Sequence, residues 1–325
     1  MKTRVLDLFC GGGGSGWGAQ AAGTEIVSSV DAWDIAAATY QSNFPDAYVV
    51  NTRLDEKSSV KLLGDIGPID MILASPECTN HTCAKGSQPR DEDSKKTANY
   101  VIRFADRLKP RWVVIENVIQ MRNWEGYQPL LGKLAALGYN VRPQIIDSAD
   151  FGVPQARRRL FLLCDREVEP NLVVPSRGQR IRTAREIVEL EGSWPSRPLY
   201  SEGRAPGTIA RAEKAMAELP KYEPFLIVYY GSDGSGGWQS LDRPLRTMTT
   251  LDRFGLVTWE KRTPMLRMLQ VPELMRAMGF DRKYTLPHGT RRDKIKLLGN
   301  GVCPPVMKAI VTSITRECRL LQAAE

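Results

Sequence analysis

The chain has 325 residues, 42% of them hydrophobic and 25% charged, which suits a globular protein with a sizeable core. Lysine and arginine exceed aspartate and glutamate by 45 to 37, a net charge of +8 that favours polyanionic partners. No run of eighteen apolar residues occurs, so no membrane span is expected, and the apolar start ends in glycines rather than in a leader-type cleavage site.

In chain order, residues 4–9 (RVLDLF) read as a first strand, and the glycines from Gly11 to Gly14 turn the chain. The small residues of GWGAQAAG then suit a helix packed on a sheet. Residues 25–30 form a second apolar run ending in Asp31, and 35–43 read as a helix closed by Phe44 and Pro45. Residues 69–74 make a third strand ending at Ser75 and Pro76, 97–108 a helix, and 112–115 a strand ending at Glu116 and Asn117. This alternation predicts a mostly parallel sheet covered on both faces, with ligand groups just beyond the carboxyl ends of its strands. From about 170 to 262 prolines, arginines and glycines multiply, and 207–219 is the one fair helix. Residues 264–278 are read as helical, and a last helix is expected over 302–320.

The distinctive residues gather at the ends of apolar runs. The glycines let backbone approach a ligand, and Asp31 can hold ribose hydroxyls there. Cys78 stands in a polar loop just past a strand, where an accessible thiolate can act as a nucleophile. Glu116 directly follows an apolar strand, so desolvation would raise its pKa and suit it to proton donation. In QARRR, strand alternation would put Arg157 and Arg159 on one side and Arg158 on the other. Taken singly, each feature has a plainer reading: a tight turn, an inert thiol, a helix cap, a solvated charge run. The six cysteines (Cys10, Cys78, Cys83, Cys164, Cys303, Cys318) form no C-x-x-C pair and there are only two histidines. A zinc cluster is therefore poorly supported, no metal is expected, and a reduced, cytoplasmic setting fits.

In order along nearly the whole chain, DLFCGGGGSG, SPEC, ENV (116–118), QARRR, RPLRT (243–247) and GNGV (299–302) resemble the motifs of the cytosine-5 DNA methyltransferase family. The resemblance implies a doubly wound, Rossmann-like α/β methyltransferase sheet with a smaller, loop- and strand-rich target-recognition domain. Residues 1–169 would begin the catalytic domain, 170–262 would form the recognition domain, and 263–325 would return to complete the first. Cys78 would add to C6 of a flipped cytosine, Glu116 would hold its N3/N4 edge, and Arg159 would bond O2. Arg157 would steady the catalytic loop and a nearby phosphate. S-adenosylmethionine would lie against Phe9, Gly11, Gly12, Gly13 and Asp31, with Pro76, Asn300 and Val302 completing the pocket and S-adenosylhomocysteine as product. The implied partners are double-stranded DNA and a cognate restriction endonuclease, with the enzyme acting as a monomer in the cytoplasm of a bacterium or phage-infected cell.

Three departures from that pattern stand out. Glu77 precedes Cys78 where relatives carry proline, which bears on reactivity and on a modified donor. Position 32 is alanine where relatives stack a bulky residue on adenine, with Trp33 next to it. No acid matches the one that contacts the adenine amino group; Asp55 and Asp65 are the candidates. A tRNA cytosine-5 methyltransferase is the alternative; the long stretch between QARRR and RPLRT and the lack of a Cys-Phe-Thr motif favour DNA.

Overall fold

The structure, a computed structural model, describes residues 2–77, 92–190, 192–230 and 237–316. Its larger sheet has seven strands in the order β3-β2-β1-β4-β5-β8-β6. The strands are β1 (Arg4–Leu8), β2 (Glu25–Asp31), β3 (Tyr48–Asn51), β4 (Met71–Ala74), β5 (Trp112–Asn117), β6 (Asn140–Asp147) and β8 (Arg158–Asp165). Only β8 runs against the rest, pairing antiparallel with both β5 and β6. The sheet reverses direction of travel at β1, with β2 and β3 on one side and β4 and β5 on the other, which leaves a crevice at the carboxyl edge.

The apolar runs exist because both faces are covered. Val5, Met71, Leu73 and Val114 face one core, and Leu6, Leu8, Ile72 and Ile115 face the other, the period-two alternation of a strand. Helices α1 (Gly14–Ala21), α2 (Asp34–Asn43) and α8 (Pro304–Ile314) supply Ala19, Tyr40 and Ile310 to the first core. Helices α3 (Glu92–Leu108) and α4 (Tyr127–Ala136) supply Phe104 and Leu130 to the second. Burial of each such large side chain stabilises the fold by about 1.5–3 kcal/mol. The stretch Arg291–Ile314 is apolar and long enough to cross a membrane, but it is broken at 301–303 and over half of it is buried.

The second sheet is mainly antiparallel, with β9 (Arg197–Pro198), β10 (Phe225–Val228), β11 (Trp238–Ser240), β13 (Phe254–Glu260) and β14 (Thr263–Met268) in the order β11-β10-β13-β14-β9. Helix α5 (Pro206–Glu218) packs Ala212 and Ala215 on Phe225 and Ile227. Residues 264–268, expected to be helical, are instead strand β14, hydrogen-bonded along β13, and the helix α6 is confined to Val271–Ala277. Arg267 in β14 meets Glu273 in α6 through two bonds of 2.7 and 2.8 Å, and Glu273 is fully buried. That pair locks the second sheet to the returning segment. Two short strands, β7 (Gln155–Ala156) and β12 (Leu245–Arg246), pair in parallel and bring the QARRR and RPLRT stretches side by side. Helix α7 (Arg291–Asn300) precedes α8, and residues 317–320 of the expected last helix lie outside the described residues.

Candidate active site

The carboxyl edge of the large sheet assembles the site. β5 carries Glu116 and Asn117 as its last two residues, while the reversed β8 begins at the same rim with Arg158 and Arg159. Arg159 Nε lies 3.2 Å from Glu116 Oε1, and the Glu116 side chain is only 8% exposed. Burial pushes the Glu116 carboxyl above its ordinary range, and the guanidiniums of Arg159 and Arg157 pull it down without cancelling that. The result is a buried acid that retains its proton to higher pH than an exposed glutamate, with a cation at its side. Asn117 donates to the Pro76 carbonyl at 3.1 Å and accepts from the Val118 amide at 2.8 Å. It thereby pins the segment that leads from β4 into Glu77 and Cys78. Cys78 itself lies outside the described residues.

Arg157 and Arg159 turn to the same side, toward Glu116, with Arg158 exposed opposite them, as the alternation predicts. Arg157 lies between β7 and β8, and its side chain turns inward, 3% exposed. Its guanidinium donates to the carbonyls of Met248, Gly299 and Gly301 at 3.2, 2.9 and 2.9 Å. Arg157 therefore ties QARRR to the segment after RPLRT and to GNGV. Gln155, fully buried, works alongside it by accepting from Met248 N at 3.0 Å and donating to the Ala277 carbonyl at 3.2 Å. Replacing Arg157 with alanine removes the donor from three carbonyls, two of them buried. The expected loss of stability is about 3 kcal/mol, read as a lower urea midpoint with an unchanged slope, and lysine should restore only part of it.

On the other side of the rim a cleft opens over the ends of β1, β2, β3 and β4. Phe9, Asp31, Thr52, Arg53, Leu54 and Glu77 are among its lining residues. Asp31 uses one carboxylate oxygen to accept from Gly11 N at 2.8 Å and the other from Trp33 N at 2.9 Å. Burial raises its pKa, and Glu77 adds to that through charge repulsion. Gly11 has φ +53° and open space where a side chain would stand, so backbone there is within a ligand's approach. Gly12 and Gly13 face protein instead: Tyr284 donates to the Gly12 carbonyl, and Tyr40 and Phe44 fill the space beside Gly13. A Cβ on Gly14 would lie 2.2 Å from the Val302 carbonyl oxygen, so GNGV closes directly onto the glycine turn. Val302 and Pro76 are buried and Asn300 is exposed.

Asp7, in the same motif, is a functional support that sequence reading passed over. It is fully buried, accepts from Ser15 Oγ at 2.8 Å and Tyr40 OH at 3.1 Å, and burial pushes its pKa up to about 7. Trp33 caps α2 with Lys296 4.2 Å over its ring, and Ala32 rather than Trp33 lines the cleft. Asp55 is turned onto its own loop, accepting from Lys57 N and Ser58 N. The described cysteines are Cys10, Cys164 and Cys303; all are buried, with thiols pushed up by desolvation, and none is poised as a nucleophile.

The family described as C-5 cytosine-specific DNA methylase matches residues 3–316. The chain belongs to that family. Among curated relatives, the type II methyltransferase M.AgeI of Thalassovita gelatinovora is 29% identical over 70% of this chain and 49% of its own length. M.HgiDI of Herpetosiphon aurantiacus is 34% identical over 50% of the chain and 52% of its own length. M.Bsp6I of a Bacillus species is 25% identical over 96% of the chain and 98% of its own length. The chain thus spans about half the length of the first two and nearly all of the third. In fold it is similar to Spodoptera frugiperda DNMT2, seen in a mutant form, with a TM-score of 0.70 at 18% identity over 96% of this chain and 99% of that one. Schizosaccharomyces pombe Dnmt2 gives 0.69 at 16% identity over 98% and 99%. Cytosine-5 methyltransferases use S-adenosylmethionine, and the chemistry of the residues about the cleft suits such a ligand: Phe9, Val30 and Leu54 offer apolar surface, Asp31 a carboxylate, and Gly11 an open approach.

Proposed function

We propose that this protein transfers a methyl group from S-adenosylmethionine to carbon 5 of cytosine in double-stranded DNA. The observation that carries the reading is the buried Glu116–Arg159 pair at the end of β5, one strand from the segment leading into Cys78. Cytosine C5 is too weak a nucleophile to take a methyl group unaided. Addition of the Cys78 thiolate to C6 makes the ring an enamine, with electron density at C5. Glu116, whose pKa burial raises, delivers a proton to N3 as negative charge develops there, while Arg159 bonds the O2 oxygen. Bound S-adenosylmethionine supplies an electrophilic methyl on a sulfonium. Loss of the C5 proton to water then expels Cys78, and the N3 proton returns to Glu116 as the aromatic ring is restored. The base must leave the duplex to reach these groups.

In this reading Phe9, Gly11, Asp31 and Pro76 hold the donor, Gly12 and Gly13 shape the turn, and Asn300 and Val302 close the far wall. Residues 170–262 would read the target sequence from loops, anchored by their arginines on phosphates. The relatives named as type II methyltransferases support a cognate restriction endonuclease as partner. The test is methyl transfer from labelled S-adenosylmethionine to duplex DNA and to tRNA side by side, followed by bisulfite sequencing. We expect 5-methylcytosine in DNA at one recurring sequence; label confined to tRNA would overturn the choice of substrate.

A further inference from the structure

Glu77 lines the cleft just past the end of β4. Its Oε1 lies 3.4 Å from Arg53 Nη2, and both side chains line the cleft together with Asp31. The described lining therefore holds two carboxylates and one guanidinium. Asp31 is committed to the amides of Gly11 and Trp33, which leaves Glu77 as the carboxylate able to respond to a ligand's charge. Its only ion-pair partner among the described residues, Arg53, is 68% exposed, so the pair is weak and readily exchanged.

The methyl donor and its product differ by one methyl group and one positive charge: S-adenosylmethionine is a sulfonium, S-adenosylhomocysteine a neutral thioether. We propose that Glu77 makes this cleft select the cationic donor over the neutral product, with Arg53 competing for the same carboxylate. The inference rests on the cleft being the donor site. Transfer of the methyl group removes the charge that Glu77 attracts, so the same residue favours donor loading and product release. Arg53 acts in the opposite sense, since its guanidinium satisfies Glu77 when the cleft holds the product.

The two side chains should therefore have effects of opposite sign on one ratio. Calorimetric titration without DNA gives the dissociation constants of S-adenosylhomocysteine and S-adenosylmethionine for wild type, Glu77→Gln and Arg53→Gln. The product-to-donor ratio of those constants should fall about fivefold in Glu77→Gln and rise in Arg53→Gln. A pair that only strapped the loop would shift both variants the same way, because both lose the same contact; that result overturns the proposal, as does an unchanged ratio in Glu77→Gln. In the unaltered protein the ratio should drop toward the Glu77→Gln value as salt is raised, which decides the matter even if a variant fails to fold. If wild type binds neither nucleoside, the reading of the cleft falls together with the inference. If it binds both and the ratio stays fixed, the inference falls alone.

Discussion

Replacing Cys78 with serine should abolish methyl transfer and also the covalent complex that wild type forms with duplex DNA containing 5-fluorocytosine. Fluorine at C5 cannot leave as a proton does, so the C6 adduct persists and appears as a band resistant to denaturation. A serine hydroxyl at the same place stays protonated at neutral pH and is a far poorer nucleophile than a thiolate. Donor binding should survive, because the cleft is built from Phe9, Asp31 and their neighbours rather than from residue 78. Cys10, Cys164 and Cys303 cannot substitute, since each is buried and its thiol is held protonated by desolvation. An adduct that survives in the serine variant would move the nucleophile elsewhere, Cys83 being the cysteine to examine next.

The large sheet was legible because its central strands are buried on both faces and so read as unbroken apolar runs. β1, β2, β4 and β5 each end within two residues of where the apolar run stops, at Leu8, Asp31, Ala74 and Asn117. The edge strands were not legible for the same reason in reverse. β3 (YVVN) is half exposed, and β6 (NVRPQIID) mixes Arg142 and Pro143 into its run, so neither shows a continuous pattern. β14 was misread as helix because TPMLRM carries apolar residues at spacings that serve either period. Its pairing with β13 and the burial of Arg267 against Glu273 decided for strand, and both partners are contacts the local sequence does not display.

Within the site, residue types were legible and backbone partners were not. Glu116 and Arg159 could be named because acid and base at one rim suggest each other. Asn117, Gln155 and Arg157 act on carbonyls of Pro76, Ala277, Met248, Gly299 and Gly301, and a carbonyl looks the same at every position of a sequence. The alternation through QARRR gave the side shared by Arg157 and Arg159, but not the carbonyls that Arg157 meets there. GNGV carried a steric signal that became clear only with its neighbours in place. Gly299 stands where a Cβ would be 2.2 Å from the Thr249 carbonyl oxygen, so the motif is as much a close approach of backbone as a ligand site.

Changing Glu116 to glutamine should lower turnover by about 10²–10⁴-fold while leaving the affinity for DNA little altered. Glutamine keeps the shape and can still donate to N3, but it cannot deliver a proton as charge builds on the ring. The pH dependence separates these two contributions. Burial raises the Glu116 pKa, so the protonated form is present well above the usual carboxylate range, and wild-type activity should decline as pH rises through that raised value. The glutamine variant has no such group and should lack this limb. Stability runs with the same sign. Because ionisation is harder in the folded protein than in the unfolded chain, the contribution of Glu116 is full below its unfolded pKa and is lost as pH rises through the folded one. Glu116→Gln should therefore gain stability relative to wild type at alkaline pH, measured as the urea midpoint, even as it loses turnover. A variant that was both slower and less stable at alkaline pH would instead mean that Glu116 serves as an ionised partner of Arg159, and the proton it is expected to donate would have to come from elsewhere.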